Sequence, residues 1–156
     1  MRGKLGLATL VTIVLTIMVA STAPAANAQQ CSLAAAAGSY GFTGNGVLLT
    51  PSGAVPIAAV GRINLRADGT VTGTEARSVG GDFANEALTG TWTINSNCWG
   101  TLTAQVFQSG KLVRTSVLSF VADANMTEIR NVQKSLTLPD GTKVPTVITF
   151  EGKRTF

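Results

Sequence analysis

Histidine is missing from the whole chain, cysteine occurs only twice, and aromatic residues make up 6% of it. Each shortage removes a class of chemistry. Without imidazole there is no Ser-His-Asp or Cys-His catalytic arrangement and no histidine-containing metal site. The two cysteines, Cys31 and Cys98, form no C-x-x-C, so they offer neither a dithiol redox centre nor a thiolate cage. Charged residues are also scarce, at 13%, and the basic ones are scattered from Arg62 to Arg154 without forming a stripe. Nucleic acid is therefore not an expected partner. Long segments of helical period are lacking too, so no glycine-rich phosphate loop leads into a helix, and no cofactor is expected.

Apolar runs are nearly absent after the N-terminus. The exception, Leu5 to Ala20, follows Arg2 and Lys4 and precedes Ala26-Asn27-Ala28, which together have the form of a cleavable export signal. The run is 16 residues long, short of the roughly 20 that a spanning helix needs. Residues 1–28 are read as the signal and 29–156 as one domain, secreted or periplasmic, with no integral membrane segment after cleavage. Losing Arg2 and Lys4 leaves ten basic residues against eight acidic ones, too small an excess to imply an anionic partner. In an oxidising compartment Cys31 and Cys98 are expected to close a disulfide. Closing its 68-residue loop stabilises the fold by roughly 4 kcal/mol on the chain-entropy view.

What remains has strand character throughout. Short runs rich in Val, Ile, Thr, Phe and Trp are separated by Gly, Asp, Asn, Ser and Pro. In Ile57 to Ala67, Ile57, Ala59, Gly61, Ile63 and Leu65 share one face, and Arg62, Asn64 and Arg66 the other. Asp68-Gly69 reads as a two-residue turn returning into Thr70 to Val79. After Gly80-Gly81-Asp82, the strand Glu86 to Ile94 sets Leu88, Gly90, Trp92 and Ile94 against a threonine-lined face. It turns at Asn95-Ser96-Asn97 and comes back through Gly100 to Phe107. Leu112 to Val121 is apolar on both faces, which fits burial on both sides or a surface that pairs with another copy or another chain. Met126 to Val132, Leu136 to Leu138 and Lys143 to Phe150 complete the series, with only Ser32 to Ala37 suited to a short helical turn. About eight antiparallel strands joined by short loops predict an all-β fold, a small up-and-down barrel or else a two-sheet sandwich.

Chemistry by carboxylates is the remaining enzymatic route, with Glu75, Glu86 and Glu128 as candidates. Glu75 with Arg77 reads as an ordinary surface pair; Glu128 with Arg130 is open between an inward and an outward setting. Trp92 reads as core, and Trp99 as packing on the disulfide. The candidate ligand-binding residues are Phe42, Trp92, Phe120, Glu128 and Arg130, for a small apolar ligand held in the barrel.

The stretches S-Y-G-F-T-G-N-G, A-A-V-G-R-I-N-L-R-A-D-G-T-V-T-G-T and L-T-G-T-W-T-I-N-S-N-C resemble small exported bacterial proteins of unassigned function. The resemblance spans nearly all of residues 31–156 and implies a calycin-like or allene-oxide-cyclase-like β-barrel. It transfers no functional residue. L-T-G-T-W is also similar to avidin strands, but carries no biotin site with it. Three functional classes follow as expectations: a small-ligand binder, a structural or interaction module, and a cyclase- or isomerase-like enzyme.

Overall fold

The computed structural model describes residues 30–155; the expected export signal lies outside them. Alternating apolar and polar residues give eight strands: β1 (Gly38–Thr50), β2 (Gly53–Leu65), β3 (Thr70–Val79), β4 (Asp82–Ile94), β5 (Trp99–Gln108), β6 (Lys111–Ala122), β7 (Glu128–Thr137) and β8 (Thr146–Thr155). Each pairs antiparallel with its neighbours in sequence, and β8 closes on β1. The described residues thus form a closed up-and-down barrel, which leaves no sheet edge and excludes the sandwich. Among them, no helix is long and apolar enough to cross a membrane.

Turn chemistry accounts for the connections. Gly80 and Gly81 both have positive φ, 57° and 94°, which a two-residue hairpin of this hand requires. The β2–β3 connection is one residue longer than expected. Arg66 and Thr70 are bonded (Arg66 N to Thr70 O, 2.9 Å), enclosing Ala67, Asp68 and Gly69. Gly69 takes the left-handed position at φ 83°, and Asp68 accepts from the Thr70 N–H (2.9 Å) and hydroxyl (2.7 Å). The segments Met126–Val132 and Leu136–Leu138 do not form separate strands. One strand, β7, runs through both because Lys134 is an extra residue in the pairing with β6. Pro145, lacking an N–H, falls just before β8, and its carbonyl accepts from Leu49 N at 2.8 Å.

Inside the wall, phenylalanines sit opposite glycines. Phe42 pairs with Gly61, Phe150 with Gly44 and Phe120 with Gly100 on adjacent strands. Each ring lies where a Cβ on its glycine partner would be, within 2.2 to 2.7 Å of that position. Rings laid flat on bare backbone fill the narrow interior without pushing strands apart.

One end of the barrel is plugged. The helix α1 (Leu33–Ala36), capped by the Ser32 side chain, lies across it. Tyr40, fully buried, sets its hydroxyl 2.9 Å from the carbonyls of both Ala36 and Met126. Trp92 packs beside Phe120, ring centroids 6.4 Å apart, and donates to Arg66 O at 3.0 Å. Arg154 covers the Tyr40 ring at 5.8 Å and donates to Ala37 O. The Cys31–Cys98 disulfide joins the residues ahead of α1 to the β4–β5 turn, with Cα atoms 5.1 Å apart. The strand β6 is hydrogen-bonded on one edge to β5 and on the other to β7. Association through Leu112–Val121 would therefore use its outer face.

Candidate internal binding site

Two side chains of like charge meet inside the wall. The Gly80–Gly81 turn sets β3 and β4 in a register that puts Glu75 directly opposite Glu86. Glu86 shares the face of Leu88 and Trp92, so both carboxylates point inward, at 7% and 4% exposure. The expected outward setting of Glu75 and Arg77 is thus reversed. Buried carboxylates need partners, and arginines supply them. Arg114 Nη1 donates to Glu86 Oε2 at 2.6 Å, and Arg114 Nη2 donates to Glu75 Oε1. Arg77 Nε donates to Glu86 Oε1 at 2.9 Å, and its Nη1 reaches the Asp82 carboxylate at 3.2 Å.

A bulge aims Arg114. Val106 pairs with Arg114, but the next residue, Phe107, pairs with Leu112. Val113 is therefore extra, and Leu112 and Arg114, two apart in sequence, turn to opposite faces. Beyond the bulge the alternation is regular, with Ser116 and Phe120 buried and Val117 and Val121 on the outer face.

The carboxyls differ in proton affinity. Burial pushes Glu75 up to about 7; the neighbouring Glu86 adds to this, and Arg114 opposes it. For Glu86 burial works in the same upward direction, but Arg114 and Arg77 outweigh it and hold the group below the usual carboxylate range. Of the two carboxyls, Glu75 is therefore the one that takes up a proton first as pH falls through neutrality.

Glu75 and Arg114 stand at the side of an internal cavity of about 70 Å³. A single buried water occupies roughly 10–15 Å³ on this scale, so the space suits a few waters or one small organic molecule. Ile63, Leu88, Leu102, Val106 and Phe150 supply most of the wall, and Ser116, Asn131 and Gln133 its polar part. Gln133 is only 8% exposed. Among the described residues, its Nε2 is the one buried side-chain nitrogen or oxygen without a hydrogen-bond partner. Buried donors are nearly always satisfied, so this one marks where an acceptor belongs. Among the described residues no group of acidic, cysteine or histidine side chains is placed to hold a metal ion.

Of the residues singled out from sequence, Phe42 lines the cavity. Trp92 and Phe120 pack in the plugged end, outside the lining. Glu128 and Arg130 lie on the outer wall beside Asp123, 3.5 Å apart, with the Arg130 side chain 68% exposed. The structure adds Arg114, Ser116, Asn131 and Gln133, none of which stood out in the sequence. A lone arginine in the most apolar strand was the one visible signal.

No protein-family model matches the chain, and no curated protein matches it.

Proposed function

We propose that this protein is an exported small-molecule binder, holding inside its barrel a ligand with an apolar body and at least one hydrogen-bond acceptor. The observation that carries this reading is the unpartnered Gln133 Nε2 facing an otherwise mostly apolar cavity. An eight-stranded barrel is the size at which the interior holds its own side chains and room for one small ligand. The cavity is well below the volume of drug-sized sites, which favours a ligand of few heavy atoms. The disulfide fits an extracellular or periplasmic compartment. Native mass spectrometry of protein purified from its own host tests the reading. The expected spectrum shows one small organic adduct that is lost on denaturation, and a mass equal to the bare mature chain in every preparation overturns it.

A second reading, an isomerase- or cyclase-like enzyme, draws on the protonated Glu75 carboxyl beside the same cavity. In that case Glu75 is the acid, and its replacement by Gln abolishes turnover of any substrate found.

A further inference from the structure

We infer that the cavity takes a small monocarboxylic acid, with its carboxylate on Arg114 and Gln133, and that Glu75 picks up a proton from solvent as the ligand enters. This deepens the ligand-binding reading and rests on it.

Charge balance inside the wall is the basis. The buried groups are Glu75, Glu86, Arg77 and Arg114, and with both carboxylates ionised they cancel. Asp82, which pairs with Arg77 from the rim, is largely in water. Among the described residues, the charged groups that act on Glu75 are Arg114 and Glu86. The rest of the cavity wall, drawn from all eight strands, is uncharged: it is apolar apart from Ser116, Asn131 and Gln133. A neutral cluster has nothing to offer an anion. Once Glu75 is protonated, Glu86 remains matched by Arg77, and the Arg114 Nη2 that was held by Glu75 becomes one uncompensated positive charge at the cavity edge. An incoming carboxylate then restores neutrality. It accepts from Arg114 and from the otherwise unused Gln133 Nε2, and its chain lies against the apolar wall. Of the two carboxyls Glu75 is the one that lines the cavity and has a single arginine, whereas Glu86 has two. It is therefore the one that can give up its arginine.

A neutral acceptor such as an alcohol would fill the same space but would neither need nor reward the proton. The two ligand types are therefore separable. The probes are hexanoate and hexan-1-ol, titrated calorimetrically into the mature, oxidised chain at pH 6 and pH 8. Hexanoate is expected to bind at least about tenfold more tightly than hexan-1-ol at pH 6. Its affinity should fall about tenfold between pH 6 and pH 8, because above about 7 each unit makes protonating Glu75 tenfold harder. Titrations in buffers of different ionisation heat should show nearly one proton taken up per ligand at pH 8 and almost none at pH 6. Glu75→Gln should keep hexanoate binding and lose the pH dependence. Gln133→Leu, which removes the unpartnered Nε2, should weaken hexanoate binding several-fold and keep the pH dependence.

Equal affinity for hexan-1-ol, or an unchanged pH slope in Glu75→Gln, overturns the proposal. If neither probe binds, the adduct from the native host decides. A carboxylic acid there supports the inference, and a neutral molecule overturns it while leaving the ligand-binding reading intact. The absence of any adduct sinks both.

Discussion

Glu75 and Glu86 face each other across β3 and β4 inside the barrel, and the guanidinium of Arg114 is hydrogen-bonded to both. Like charges opposite one another in a sheet are ordinarily destabilising. Here the arrangement survives because Arg77 secures one carboxylate and a proton relieves the other.

That proton makes stability depend on pH in a defined direction. Glu75 has a higher pKa folded, about 7, than a free carboxyl has unfolded, so the folded state binds more protons between the two values. Its contribution to stability is therefore full in acid and is lost as pH rises through about 7. Glu75→Gln, which keeps the neutral shape, should match the wild type near pH 4 and be more stable than it at pH 8. Urea unfolding of both proteins across this range checks the sign; a difference that does not grow with pH refutes it.

Removing Arg114 should be far more costly. Arg114→Met leaves Glu75 without its arginine and Glu86 with Arg77 alone, and is expected to destabilise the barrel by about 3–5 kcal/mol. Adding Glu75→Gln to that variant should recover a substantial part of the loss, and a double-mutant cycle measures how much.

At the plugged end, Tyr40→Phe leaves the carbonyls of Ala36 and Met126 without the hydroxyl that lies 2.9 Å from each. The expected cost is about 1–3 kcal/mol, read from chemical denaturation. Cys31→Ser with Cys98→Ser frees the same end covalently and should cost roughly 4 kcal/mol.

The antiparallel strands were legible from alternation and turn residues, and their closure into a barrel rather than a sandwich came from the β8–β1 pairing. So, in principle, was half of the site. Glu86 has the parity of Leu88 and Trp92, and a two-residue turn at Gly80–Gly81 then obliges Glu75 to stand opposite it. By that count Glu75 is an interior residue, the reverse of its expected surface setting. Arg114 and Gln133 were hidden for a physical reason. Each sits next to a bulge, at Val113 and Lys134, and an inserted residue exchanges inside and outside without altering composition. In β7 a regular period shared by Val132 and Leu136 would turn Val132 inward, yet Val132 is 50% exposed and Gln133 is buried.

Packing of rings on glycines gives a further prediction. A Cβ at Gly44 would lie 2.2 Å from Phe150 Cδ1, with no backbone atom among its three nearest neighbours. Gly44→Ala should therefore cost about 1–3 kcal/mol. Gly44→Ala combined with Phe150→Leu should be less destabilised than the sum of the two single changes, as thermal unfolding of the four proteins would show.

The same pairs bear on how such a chain can diverge. Phe42 with Gly61, Gly44 with Phe150 and Gly100 with Phe120 join sites up to 106 positions apart. At Gly44 a lineage that adds a side chain must shrink Phe150 in nearly the same step, whereas a Cβ at Gly61 or Gly100 would also meet the backbone oxygen of Thr74 or Thr93, so a smaller phenylalanine does not free those two sites. Inside the barrel, then, two of the glycines are held fixed by neighbouring backbone, and the third changes only together with its ring.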